Sequence, residues 1–167
     1  GQKPQFIFTS ATLANARALA ETLIEEPVVM IDKDSSPKGE RHFYICNPPV
    51  IEPALGIRRS STQEISSIAK SFLQTNLQGI LFTGSRRSVE LIFRYLTDDQ
   101  KLADKVRSYR SGYLAEERRK VENDLRSGKI GLVISTNALE LGIDIGGLDV
   151  ILINGYPGTI CATRQQA

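Results

Sequence analysis

The 167-residue sequence predicts an α/β fold, a parallel sheet flanked by helices. Two observations carry the prediction. Apolar runs of strand length alternate with amphipathic helical stretches along the chain, which fits parallel strands joined by right-handed crossovers. The runs "IGLVIS" (130–135) and "DVILIN" (149–154) are continuously apolar, as strands buried on both faces are.

The elements follow in order. "QFIFTS" (5–10) reads as a short buried strand. Residues 13–26 place Leu13, Ala16, Ala20, Leu23 and Ile24 on one helical face, and Pro27 ends the run. "VVMI" (28–31) and "HFYIC" (42–46) read as strands, separated by the polar, Pro- and Gly-containing stretch 32–41. "NPPVIEPALGIRR" reads as a Pro-rich loop. Ser61-Thr62-Gln63-Glu64 has the pattern of a capping box, and Ile65, Ile68, Phe72 and Leu73 mark the helix it would open. "GILFT" (79–83) is a strand; "GSRRS" opens a helix with Val89, Ile92, Phe93 and Leu96 on its apolar face. "KVRSY" (105–109) is a strand, and a highly charged helix over 114–126 closes at Gly128. The linker assigns residues 1–31 to a neighbouring domain and 42–167 to a domain of their own.

Composition narrows the function. Hydrophobic residues at 41% and charged residues at 24% are ordinary for a globular domain, and a net charge of +2 gives no global basic field, so any nucleic-acid face must be local. Cys46, Cys161 and the single His42 lack metal-ligand spacing, which argues against structural zinc. A reducing, cytoplasmic setting is the default. No run nears 18 consecutive apolar residues, so no membrane partner is expected, and "GQKPQF" does not resemble a signal peptide. The chain opens on an apolar run and stops at "TRQQA", as a piece cut from a larger protein would.

In parallel sheets, ligands bind at the carboxyl ends of the strands. Those ends hold Ser10-Ala11-Thr12, Thr83-Gly84-Ser85-Arg86-Arg87, Tyr109-Arg110-Ser111-Gly112, Ser135-Thr136-Asn137 and Gly155-Tyr156-Pro157-Gly158. Hydroxyls, glycines and arginines suit phosphate oxygens. "FTGSRRS" (82–88) fits a phosphate cradle and equally an ordinary strand–helix turn with solvated arginines. Thr12 fits a plain helix N-cap. Glu116 to Lys120 reads as a solvated helix face, and Tyr109 and Tyr113 as partly buried packing, with stacking on a base as the alternative. The sequence has no G-x-x-x-x-G-K-[ST] loop and no plausible nucleophile–base pair.

The order of these motifs resembles the later motifs of superfamily-two helicases: SAT after a strand, F-T-G-S-R-R, then S-T-N-A-L-E-L-G-I-D-I and a terminal Q-Q-A. "ISTNALELGIDIGGLD" is most like the YprA-type, RecQ-related DNA helicases. That group continues through "GYPGT" into Q-x-x-G-R-x-G-R, whereas this chain stops at Gln165-Gln166-Ala167.

The resemblance implies a RecA-like fold without its own P-loop. Residues 1–31 would be the tail of a first RecA-like domain, carrying the coupling motif Ser10, Ala11 and Thr12. Residues 42–167 would be most of the second. Thr83, Ser85, Arg86, Arg110, Thr136 and Asn137 would grip the nucleic-acid backbone. Gly142 would turn the chain so that Asp144 faces the ATP ribose or its metal-bound water; alternatively, Asp144 only caps the turn before Gly146-Gly147. Gln165 would begin the last motif.

The implied function is that of a fragment of an ATP-dependent DNA helicase translocating on single-stranded DNA, in repair or maintenance. ATP and Mg²⁺ would serve the full-length enzyme, with none held firmly by this chain and no hydrolysis expected from it alone. The implied partners are single-stranded nucleic acid, DNA ahead of RNA, and the first RecA-like domain. The localisation would be cytoplasmic, nucleoid-associated in a bacterium. An RNA helicase of the same superfamily and a non-catalytic RecA-like binding module are the alternatives, with a generic sugar- or nucleotide-binding α/β enzyme behind them.

Overall fold

A strand is stable only when neighbours take up its backbone hydrogen-bonding groups, and this requirement separates the two parts of the molecule. The computed structural model describes residues 4–10, 13–33, 35, 39–109, 114–136 and 147–167. The chain divides into two units, residues 1–46 and 47–167.

In the first unit, α1 (Ala16–Ile24) is the only helix among the described residues, shorter than the predicted 13–26. An Arg17–Glu21 ion pair of 3.0 Å spans one turn of it. Its end is set by Glu25, in the left-handed region at φ 56, whose N–H donates to Glu21 O at 2.9 Å. The three strands expected at 5–10, 28–31 and 42–46 do not form. Ile7 (82% exposed), Val29, Ile31 and Ile45 all face outward, although Phe6 and Phe8 stack with ring centroids 6.2 Å apart. Apolar composition was right for strands, but no described segment of this unit supplies a ladder.

The second unit begins with a hairpin where the Pro-rich sequence predicts a loop. β1 (Val50–Glu52) pairs antiparallel with β2 (Ile57–Arg58) across a 3₁₀ turn, Pro53–Leu55. Pro53 pre-sets the turn's first φ, and Gly56 takes a left-handed φ of 65 that other residues avoid. Next comes α2 (Ser61–Phe72), whose N-cap is Ser60. The capping box does not form. Ser61 lies inside the helix, and the Glu64 carboxylate is taken by Arg59 at 3.1 Å.

Then follow β3 (Gly79–Thr83), α3 (Arg86–Thr97), α4 (Gln100–Ala103), β4 (Val106–Tyr109), α5 (Ala115–Arg126), β5 (Leu132–Ser135), β6 (Val150–Asn154) and α6 (Ile160–Gln166). The four long-range strands form one parallel sheet in the order β4-β5-β3-β6. Ile65, Ala69, Phe72, Val89, Ile92 and Leu96 from α2 and α3 pack on one face, against Leu81, Val106, Leu132 and Ile134. Leu125 of α5 packs on the other with Ile80, Phe82, Tyr109 and Val133. Helices on both faces of a parallel sheet make this the RecA-like arrangement that the resemblance implied.

Two details lock the register. A Cβ at Gly79 would stand 2.5 Å from Val150 O and 3.1 Å from the Phe72 ring, so only glycine lets β6 and α2 approach there. Gln78 ties three element ends together: its N–H donates to Asp149 Oδ2 at 2.8 Å, and its side-chain amide donates to Leu125 O and Ile130 O. β5 is buried along its length as expected, but the edge strand β6 is half-buried throughout. α6 had no clear sequence signal; its seven residues carry no helical apolar stripe.

Candidate nucleic-acid interface

The carboxyl ends of the strands lie side by side. Phe82 is opposite Ser135, Ser135 opposite Tyr109, and Thr83 opposite Asn154. The parallel topology thus gathers Thr83-Gly84-Ser85-Arg86, Thr136 and Asn154-Gly155-Tyr156 on one rim.

The turn from β3 into α3 is the best-defined part. Ser85 is the N-cap of α3: its Oγ accepts from Ser88 N at 3.1 Å and lies 2.9 Å from Ser88 Oγ. This fixes the first turn and leaves the helix N-terminus facing solvent, where the helix dipole favours an anion. Arg86 and Arg87 are exposed on that turn.

Thr83 is buried, and its Oγ1 accepts from Asn154 Nδ2 at 3.3 Å; Asn154 Nδ2 also reaches Thr62 Oγ1 at 3.4 Å. One amide therefore ties the ends of β3 and β6 to the start of α2. The sequence reading missed Asn154, because an asparagine closing an apolar run reads as a simple strand end. Beside it a cleft of about 140 Å³ is lined by Thr83, Gly84, Asn154, Tyr156 and Gln166.

Thr136 follows β5 and is half-buried; its carbonyl accepts from the buried Ser135 Oγ at 2.7 Å. Gln165 is half-buried on α6. Ser10 is exposed in the first unit. Ala11, Thr12, Arg110, Asn137, Gly142 and Asp144 lie outside the described residues.

Burial raises the pKa of Tyr109, at the end of β4, above the ordinary phenol value, and the nearby Glu122 carboxylate adds to the shift against the opposing influence of Arg118. The Arg118 and Glu122 side chains interact with the Tyr109 phenol, which links the end of β4 to α5. Among the described residues no three His, Cys, Asp or Glu side chains gather as metal ligands. No helix among them is long and apolar enough to cross a membrane.

Comparison with known proteins agrees with this geometry. Residues 63–167 match the helicase conserved C-terminal domain. The ATP-dependent helicase YprA of Bacillus subtilis (strain 168) is 45% identical over 170 residues, which cover 100% of this chain and 23% of YprA. The ATP-dependent helicase HRQ1 of Saccharomyces cerevisiae is 37% identical, over 98% of this chain and 16% of HRQ1. The crystal structure of the DUF1998 helicase MrfA bound to DNA superposes with a TM-score of 0.91 at 44% identity, covering 99% of this chain and 23% of that one. The chain thus spans less than a quarter of the length of these relatives. With its motifs in order, its parallel sheet and these matches, the chain belongs to the superfamily-two helicases, as a helicase conserved C-terminal domain.

Proposed function

We propose that the chain is part of an ATP-dependent DNA helicase that moves along single-stranded DNA, with a role in DNA repair or maintenance. Residues 1–31 are the tail of a first RecA-like domain and residues 42–167 most of the second. The observation that carries the reading is the β3–α3 turn, a capped helix N-terminus with the exposed Arg86 at the carboxyl rim of a parallel sheet. Relatives named as ATP-dependent helicases, and one solved in complex with DNA, support it.

In this reading Ser85, Arg86, Arg110, Thr136 and Asn137 hold backbone phosphates, which gives sequence-independent grip. Thr83, turned inward, anchors the gripping turn through Asn154. ATP lies between the two RecA-like domains, with Gly142 and Asp144 as this chain's contribution, and Mg²⁺ enters with the nucleotide. Ser10, Ala11 and Thr12 couple hydrolysis to movement, and Gln165 starts the last motif. Opening and closing of the cleft then shift the two grips by turns.

The test uses the intact protein and labelled single-stranded DNA and RNA over a salt series. Tight, salt-sensitive binding with DNA preferred is expected, and the Arg86→Ala/Asn137→Ala variant should lose affinity for both strands. Equal affinity for RNA would return the RNA-helicase reading. Full affinity in the variant would remove the gripping turn from the site.

A further inference from the structure

A second basic feature starts one residue beyond the gripping turn. Arg87, Glu90, Leu91 and Arg94 stand at i, i+3, i+4 and i+7, one face of α3. With Phe93 and Ser108 of β4 they line a groove of about 410 Å³. That volume lies within the range of small-ligand pockets, roughly 300–1,000 Å³, so a nucleotide-sized group fits where a bare ion would be loose. Leu91 is 39% exposed in it. Among the described residues, neither the Arg87 nor the Arg94 guanidinium has an ion-pair or hydrogen-bond partner.

The pattern along the groove is cation, apolar patch with a carboxylate, cation. The two arginines are two helical turns apart, roughly 10 Å along the axis. A continuous run of acidic side chains would bring a charge to the midpoint, against Glu90. A nucleic-acid strand alternates charged phosphates with uncharged sugars and bases, so it can meet both arginines and lay a neutral group over Leu91 between them. The groove's first residue, Arg87, follows directly on Ser85 and Arg86 at the N-terminus of the same helix.

We propose that this groove carries the bound single strand onward from the gripping turn, with phosphates at Arg87 and Arg94 and one sugar or base across Leu91. The assignment rests on the nucleic-acid reading above and adds a second stretch of contact, down the side of α3. Because Arg87 and Arg94 are exposed, their removal leaves the core untouched.

The experiment measures binding of the intact protein to fluorescent oligothymidylate by anisotropy across a salt series. Each phosphate contact on a single strand contributes about 0.7 to the slope of log affinity against log salt. Arg87→Ala/Arg94→Ala should therefore flatten the slope by about 1.4, so that a fourfold rise in salt weakens the variant roughly sevenfold less than the wild type. Leu91→Ala should weaken binding with the slope unchanged. Arg119→Ala/Lys120→Ala, which removes two exposed charges from α5, should change the slope far less.

An unchanged slope in Arg87→Ala/Arg94→Ala, with the wild type still salt-sensitive, would overturn the groove assignment and leave the gripping turn standing. The groove would then suit an acidic protein segment. Equal flattening by the α5 variant would also overturn it, as a general charge effect. If the wild type bound no strand at all, the nucleic-acid reading beneath both would fall.

Discussion

Phe6-Ile7-Phe8 and Ile80-Leu81-Phe82 have nearly the same chemistry and opposite surroundings. Both triplets are aromatic or aliphatic throughout and favour strand. Leu81 is 0% exposed, in a strand flanked by β5 and β6, whereas Ile7 is 82% exposed and belongs to no ladder. Side-chain apolarity is therefore insufficient to make a strand. What distinguishes β3 is the company its backbone keeps, with one parallel partner on each side and α2 and α3 over its face.

The largest effect should come from breaking the buried member of the pair. Leu81→Ala removes three carbon atoms from the centre of the core and should cost about 2–5 kcal/mol of unfolding free energy in urea. Ile7→Ala should stay within about 0.5 kcal/mol, as a surface substitution does. A comparable loss in both would mean that Ile7 packs in solution and that the contrast is false.

A smaller effect should follow from loosening the anchor at the start of β3. The Gln78 side chain serves two carbonyls, Leu125 O and Ile130 O, where α5 ends and β5 begins. Gln78→Ala leaves these partly buried acceptors without their donor, and should cost about 1–3 kcal/mol. Faster amide exchange at the starts of β3, β5 and β6 should accompany it. Nothing in residues 4–10 makes a comparable tie among the described residues. A neutral Gln78→Ala would show that strand pairing alone sets the sheet, without such clasps.

This contrast also marks what the sequence made legible. From residue 61 onward the predicted strands and helices match the observed ones to within a few residues, because each has both its own periodicity and a neighbour to satisfy. At 5–10, 28–31 and 42–46 the same local signal misled, since pairing is a property of other segments. Pro48, Pro49 and Pro53 suggested a loop and hid the β1–β2 hairpin, whose turn uses Pro53 and Gly56 together. Ser61 and Glu64 had capping-box spacing, but spacing could not reveal that Arg59 takes the carboxylate.

The candidate site divides in the same way. Ser85 and Arg86 were readable because a helix N-terminus after a strand has a local signature. Asn154 was not: its partners Thr62 and Thr83 are brought to it only by the sheet and by α2. The face formed by Arg87, Leu91 and Arg94 was hidden for a related reason. The apolar stripe of α3 drew attention to its buried side.

The smallest predicted effect concerns two tyrosines, Tyr44 exposed in the first unit and Tyr109 buried in the second. Tyr44→Phe should leave stability at neutral pH unchanged. Tyr109→Phe loses the hydroxyl that interacts with Arg118 and Glu122 and should cost on the order of 1 kcal/mol there. The pH dependence then isolates the cause. Because burial holds the Tyr109 pKa above 10.0 in the folded chain, the unfolded chain releases that proton first as pH rises. Wild-type stability should therefore fall once the pH passes about 10, towards the raised value, while Tyr109→Phe lacks this contribution. The gap between the two proteins should narrow over that window when urea midpoints are compared at matched pH. A constant gap would mean that the phenol ionises as readily folded as unfolded, and the clasp between β4 and α5 would be weaker than its burial implies.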